Sequence, residues 1–392
     1  MAWNMTEVGE QRVRFVVRAS ETGRNLSELC REFGISRPTG YMWLQRWQQA
    51  KTAGLEEKSR RPQRSPQKTA EAVEQQIVEL RRQRPDWGAR KLRPLLAEQG
   101  VRLPVITVHR VLLRHGLVRP EDRHQAAVKR FERAAPNEMW QMDFKSPKGW
   151  EQRVGPLSVI DDHSRYVIRL AQTGTTRSPA VRAQLEQAFE ECGLPESMLM
   201  DHGVPWWSGT GAQGWTELTV WLMGQGIQLH FGRYRHPQTQ GKVERFHGAL
   251  EMARRRRGLP EQEQRQGWLD EFRYEYNHVR RHEGLGMRTP ASVWQPSGRR
   301  YDPHPPEWEY GAEAEVHRLD CNGQLRLGQR SWPISEALGA QRVRVQRVGE
   351  STVLVYYCQS LVREIDLAAQ RSTAVDRWAQ PTTCKGCPDN TV

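Results

Sequence analysis

Hydrophobic and polar positions change their period twice along the 392-residue chain. Up to about His115, apolar residues recur at three- and four-residue intervals, the period of helices packed through one face. Leu26, Leu29 and Phe33 line a helix that Gly34 ends as a left-handed cap. Ser36 is placed to cap the next helix, and Pro38 is tolerated in its first turn. There Tyr41, Leu44 and Trp47 form the expected core-facing stripe and leave Arg37, Thr39 and Arg46 for solvent or DNA. Val73, Ile77 and Leu80 line a further helix, Pro85-Asp86-Trp87-Gly88 forms a turn, and Leu92, Leu95 and Leu96 line a helix stopped by Gly100. Thr107 to His115 follows, with Val108, Val111 and Leu112 inward, His109, Arg110 and Arg114 on the polar side, and Gly116 as the stop. These are two helix-turn-helix patterns of different sequence. Lys51 to Lys68 separates them, lacks an apolar period and reads as a basic linker.

From Met139 the period shortens. Trp140 to Phe144, Leu157 to Ile160 and Tyr166 to Leu170 read as strands. Helix and strand then alternate: Pro179 to Cys192 helical, Ser197 to Asp201 extended, Thr216 to Gly224 helical, Ile227 to Phe231 extended and Gln240 to Arg257 helical. This is a mixed α/β domain, followed by a helix from Trp268 to Arg281. After Pro296, short segments at Gly311 to Leu319, Gln324 to Leu327, Arg342 to Gln346 and Ser351 to Tyr357 predict a small all-β module. The expected organisation is a helix-turn-helix domain over 1–50, a basic linker over 51–69, a second helix-turn-helix domain over 70–120, a core over 136–297, a β module over 305–370 and a disordered tail over 371–392.

Charge sharpens this division. The net charge is +13. Residues 1–135 hold 27 Lys+Arg against 15 Asp+Glu, residues 136–297 hold 20 against 19, and residues 298–392 hold 12 against 12. A basic arm on a near-neutral core is the footprint of polyanion binding, although a solvated basic face gives the same count. The longest apolar run, Val353 to Cys358, is too short to cross a bilayer. No secretory signal opens the chain, and six cysteines are too few for a disulfide scaffold, so a cytoplasmic protein is expected. Cys384-x-x-Cys387 has no second pair, and His278 and His282 lack the Glu of a zinc-protease helix, so neither is read as a zinc site.

Three acids stand out by their setting. Asp143 lies in the strand Trp140-Gln141-Met142-Asp143-Phe144, Asp201 ends the strand Met198-Leu199-Met200-Asp201, and Glu244 lies in the helix after His236-Pro237-Gln238-Thr239-Gln240-Gly241-Lys242-Val243. A carboxylate in a buried strand needs a cation, a salt bridge or a catalytic role. Hard oxygen ligands suit Mg²⁺ or Mn²⁺, and two such ions can promote both attack and departure at a phosphodiester. Two salt-bridged acids and an exposed helical Glu fit the bare pattern as well.

These segments resemble the integrase-type transposases of bacterial insertion sequences, whose cores are related to retroviral integrase. The resemblance is carried by Met142-Asp143-Phe144, Ile160 through Tyr166, Met200-Asp201-His202-Gly203, His236 through Leu250 and Asn277 through Pro290. It implies an RNase H-like fold with an Asp-Asp-Glu triad on Asp143, Asp201 and Glu244, a two-metal Mg²⁺ or Mn²⁺ site, and a small SH3-like barrel at the C-terminal end. It further implies cleavage at the ends of an element and transesterification of the freed 3′-hydroxyls into target DNA. The partner is then double-stranded DNA, bound by a homo-oligomer near the nucleoid, with no membrane and no small-molecule substrate. Gln238, Gln240 and Lys242 fall where the DNA end approaches, and either phosphate contact or a solvated helix start fits them. The run Arg254 to Arg257 fits a DNA grip and a dipole-favoured helix end equally. A turn role is expected for Asp161 and Asp162.

Two features depart from the usual pattern. His202 stands where Asn is common, and 42 residues separate Asp201 from Glu244, with the excess in the Trp- and Gly-rich stretch Pro205 to Gly214. The alternative function is a DNA-binding regulator or repressor with an inactive core.

Overall fold

The computed structural model describes residues 8–21, 23–56, 68–118, 132–208, 214–232 and 241–375. Gln238, Gln240, Cys384, Cys387 and the basic stretch 57–67 lie outside the described residues. The chain divides into two compact units, Met1–Lys68 and Thr69–Val392.

The first unit holds three helices, α1 (Val8–Ala19), α2 (Leu26–Glu32) and α3 (Arg37–Ala50), closed by a 3₁₀ turn over Lys51–Leu55. Ser36 caps α3 by accepting from the Thr39 amide at 3.3 Å, and Gly34 adopts φ +64° after α2. Phe15, Val16, Leu29, Cys30, Trp43 and Leu55 form the core. Two expectations change here. Tyr41 is 61% exposed, and α3 instead turns Gly40 and Trp43 inward. A Cβ at Gly40 would meet Cys30 Sγ at 2.5 Å, so α3 crosses α2 at a residue with no side chain to mark it in a hydrophobic pattern. The expected linker also starts too early: Leu55 is buried and its carbonyl accepts from Arg12 Nη1 at 2.9 Å.

The second unit begins with α4 (Glu71–Gln83), α5 (Ala89–Glu98) and α6 (Val105–Arg114). They pack around Ile77, Leu80, Trp87, Leu92, Leu96, Val108, Val111 and Leu112, the periodic positions plus the tryptophan of the turn.

A five-stranded sheet follows, built from β1 (Trp140–Phe144), β2 (Leu157–Asp161), β3 (Val167–Ala171), β4 (Ser197–Met200) and β5 (Gln228–Phe231) in the order β3-β2-β1-β4-β5. The first three strands are an antiparallel meander, and β4 and β5 run parallel to β1. The helices are α7 (Ser178–Cys192), α8 (Glu217–Gly224), α9 (Gly241–Arg257) and α10 (Arg265–Tyr274), the last running into a π-helical turn over Glu275–Val279. Side chains alternate across the sheet. Trp140 and Met142 share a core with residues of α7 and α8, while Ile160, Val167 and Leu170 share another with Val243, Phe246 and Leu250 of α9 and with α10. Gln141 and Asp143 therefore point to the α9 side.

The C-terminal module contains β6 (Glu315–Arg318), β7 (Gln324–Leu327), β8 (Arg330–Pro333), β9 (Arg342–Val348), β10 (Thr352–Tyr357), β11 (Ser360–Asp366) and β12 (Arg371–Ala374). Five of these make an antiparallel sheet, β12-β11-β10-β9-β6, and β7-β8 is a hairpin. The expected disordered tail is thus ordered at its start. Arg371-Ser372-Thr373-Ala374 is a polar edge strand without an apolar face, held where Arg363 Nε donates to Ser372 Oγ at 2.8 Å. Its module shares an apolar core with the α8 side of the first sheet, and Trp215 Nε1 donates to the Val362 carbonyl at 2.9 Å.

Candidate active site

Strand register brings two of the three acids together. Trp140 pairs with Met198 and Gln141 with Leu199. Carrying that constant offset forward sets Asp143 level with Asp201, the residue after β4. Glu244 lies in the first turn of α9, which packs on β1 and β2. The start of α9 is stitched to β1. Val243 N donates to Gln141 Oε1 at 3.2 Å, Gln141 Nε2 donates to Asp162 Oδ1 at 2.7 Å, and the Lys242 ammonium pairs with Asp162 Oδ2. Asp161 accepts from Ser164 N and Asn137 N, both at 2.7 Å, and so fixes the turn after β2.

Burial pushes the Asp143 carboxyl up to about 7, and the charges of Asp201 and then Glu244 add to the rise against the Phe144 amide, which lowers it. Burial also raises Glu244. His247, one turn along α9 from Glu244, has Nδ1 3.7 Å from Asp143 Oδ2 and shares a hydrogen bond of 3.0 Å with Ser158 Oγ through Nε2. Burial, followed by the charge of Lys145, drives its pKa down to about 3. His247 is therefore neutral near pH 7 and does not balance the acids. Among the described residues, no group of three or more His, Cys, Asp or Glu is gathered tightly enough to hold a metal ion. The three carboxylates share one field without forming a closed ligand set. Their oxygen chemistry and mutual repulsion fit a divalent cation.

This makes stability depend on pH. An acid whose pKa rises on folding stabilises the fold while it is protonated, so the contribution is complete below the unfolded value of about 4. It is lost as pH rises through about 7. Mn²⁺ is expected to raise the unfolding temperature more at pH 8 than at pH 5.5, and Asp143→Asn to flatten the difference. Thermal unfolding with and without Mn²⁺ checks this; equal shifts at both pH values would argue against a shared cation.

Asp201 Oδ1 accepts from Gly203 N at 2.9 Å and from Trp206 Nε1 at 2.6 Å. His202, the departure from the usual Asn, packs in an aromatic cluster, 5.2 Å from the Trp207 ring and 5.4 Å from Phe231.

The other sequence-predicted residues are spread over the helices. Arg37 is exposed at the start of α3, Thr39 Oγ1 shares a hydrogen bond with Ser36 Oγ at 2.8 Å, and Arg46 lies over the Trp43 ring at 5.0 Å. On α6, Arg110 is exposed and His109 half-buried, while Arg114 pairs with the buried Glu74. Lys242 is engaged by Asp162 with 13% of its side chain exposed. The run ending α9 is largely internal in its bonding: Arg254 and Arg255 reach Glu251, and Arg257 bridges Asp86 and Glu275. Sequence reasoning did not single out Gln141, Trp206, His247 or the pairing role of Asp86. Gln141 alone carried a signal, as a polar residue inside an apolar strand.

Residues 133–237 and 225–290 match the integrase core domain. Residues 39–112 match a homeodomain-like domain and residues 11–63 a helix-turn-helix domain. The chain is 23% identical over 228 residues to the insertion element IS407 uncharacterized 31.7 kDa protein of Burkholderia multivorans, covering 56% of this chain and 80% of that protein. It is also 23% identical over 279 residues to the insertion element IS476 uncharacterized 39.2 kDa protein of Xanthomonas euvesicatoria, covering 69% and 78%. The integrase core and helix-turn-helix matches, together with these insertion-element relatives, support an insertion-sequence transposase with an integrase core. Among solved structures, the chain is similar to the HTLV-2 integrase catalytic core domain in complex with magnesium, with TM-score 0.32 and 17% identity over 41% of this chain and 99% of that one. A chain of the simian T-cell lymphotropic virus intasome in complex with PP2A regulatory subunit B56 gamma gives TM-score 0.36 and 17% identity over 78% and 99%. Among the described residues, no helix is long and apolar enough to cross a membrane.

Proposed function

We propose that this transposase binds the ends of its element, cleaves there to free 3′-hydroxyls and joins them to target DNA, with Asp143, Asp201 and Glu244 as its catalytic carboxylates. The observation that supports this reading is the pairing of the strands that carry the two aspartates. The β1–β4 register sets Asp143 level with Asp201, and Glu244 lies in the first turn of α9, which packs on β1 and β2. A divalent cation, Mg²⁺ or Mn²⁺, supplies charge neutralisation and alignment at the phosphodiester when bound there. Asp143 and Asp201 offer oxygens from rigid strand ends, and Glu244 offers one from a helix anchored by Gln141 and Asp162. Neutral His247 lies beside Asp143, with Nδ1 3.7 Å from its Oδ2. The strand order β3-β2-β1-β4-β5 supports an RNase H-like core over 136–297. We read the C-terminal strands as an SH3-like barrel and the working form as a homo-oligomer on DNA in the bacterial nucleoid. The experiment that tests the reading is metal-dependent joining of oligonucleotides bearing the element's ends. Binding without joined products would favour a regulator with an inactive core.

The helical units are proposed to hold the DNA, through Arg37 on α3 and Arg110 on α6. Because Met1–Lys68 is compact by itself, this fragment is expected to fold alone and bind duplex DNA. Its affinity is expected to fall at least tenfold between about 50 and 200 mM salt, as counterion release requires. Fluorescence anisotropy across a salt series measures it, and a flat profile would contradict a phosphate-binding role.

A further inference from the structure

Trp206 connects the surroundings of both strand acids. After β4 the chain turns at once, with the amides of Trp206 and Trp207 both bonded to the Gly203 carbonyl at 3.1 and 3.0 Å. That turn drives the Trp206 indole under the sheet end, where it is 1% exposed. Its ring stacks on Phe144, the neighbour of Asp143, at 5.5 Å and 19°. Its Nε1–H donates to Asp201 Oδ1 at 2.6 Å. A carboxylate is the strongest acceptor open to a buried indole N–H. A phenylalanine here would keep the stack and lose the donor.

We propose that Trp206 is a positioning residue for Asp201. With Gly203 N it occupies Oδ1 from two directions, which fixes the carboxylate plane and leaves Oδ2 as the oxygen offered to a cation. Among the described residues Oδ2 accepts no hydrogen bond. The Phe144 stack ties this orientation to the end of β1, which carries Asp143. The stretch that lengthens the gap before Glu244 thereby begins with a support for the second acid. This inference rests on the reading of Asp201 as a cation ligand.

The test is Mn²⁺ titration of the full chain by calorimetry, alongside Mn²⁺-dependence of joining. Trp206→Phe is expected to weaken Mn²⁺ binding about tenfold, as loss of an outer support does at metal sites. The Mn²⁺ concentration for half-maximal joining should rise in parallel, with the rate at saturating Mn²⁺ recovering to near wild type. Trp206→His, which keeps a ring N–H, should restore part of the affinity. Trp206→Met, adaptable in volume and lacking a donor, serves if the Phe variant does not fold. Wild-type Mn²⁺ affinity in either folded donorless variant overturns the proposal. Asp201→Asn separates the two ideas. If it leaves Mn²⁺ binding intact, the assignment of Asp201 fails; if it abolishes binding while Trp206→Phe does not weaken it, only the role of Trp206 fails.

Discussion

Asp143→Asn, Asp201→Asn and Glu244→Gln are each expected to reduce cleavage and joining by roughly a thousandfold or more, while DNA binding and folding survive. The amides are nearly isosteric with the acids, so the packing of β1, the end of β4 and α9 should be kept. They remove the negative charge that holds a divalent cation, and phosphoryl transfer depends on such an ion for alignment and neutralisation. Asp143 feels both other acids, so the three should behave as one site. Double variants are then expected to be scarcely worse than singles. Asp162→Asn is the contrast: Asp162 is buried against Lys242 and Gln141, so its loss should lower stability and spare the chemistry in the molecules that remain folded. The measurement is Mn²⁺- or Mg²⁺-dependent strand transfer on oligonucleotides carrying the element's ends. Wild-type joining by Glu244→Gln would mean that another residue supplies the third carboxylate.

The elements that carry the three acids were legible because their settings are local: period puts two at strand ends and one in the first turn of a helix, while joining them as a triad took the family resemblance. The supports of these acids were not legible. Gln141 meets Val243 across 102 positions of sequence, and nothing in either neighbourhood announces the other. Trp206 read as part of a tryptophan-rich insertion, since its N–H finds Asp201 only through the turn at Gly203. The Tyr41 stripe failed for the opposite reason, because a hydrophobic pattern weights large side chains and the α3 contact is made through Gly40. The β12 edge strand failed because its ordering comes from a backbone ladder with β11 and from the Arg363 bond, neither of which requires an apolar residue. For Arg254 to Arg257, a DNA grip and a dipole-favoured helix end fit the sequence equally, and neither points to a buried acid. The pairing partners of this run include Asp86, which lies 171 residues away.

That last pairing gives the largest expected effect on stability. The Asp86 side chain is fully buried in the turn between α4 and α5. It accepts from Arg257 at the end of α9 at 2.6 Å and from Arg280 after the π-helical turn at 3.2 Å. Arg280 also lies over the Trp87 ring at 5.8 Å. The second helical unit is thus fastened to the far end of the helix that carries Glu244. Asp86→Ala would leave the Arg280 charge buried beside Arg257 with their shared anion gone. Removing one partner from a buried pair costs about 3–5 kcal/mol, since the remaining charge keeps its desolvation penalty. Glu275 still holds Arg257 at 2.6 Å, which places the expected loss near the lower end of that range. Glu283→Ala is the control. It breaks the exposed bridge to Arg90 at 3.0 Å in the same region, where an ion pair contributes less than about 1 kcal/mol. Urea unfolding of the full chain compares the two variants. A loss for Asp86→Ala no greater than for Glu283→Ala would show that the buried acid does not hold the helical unit to the core.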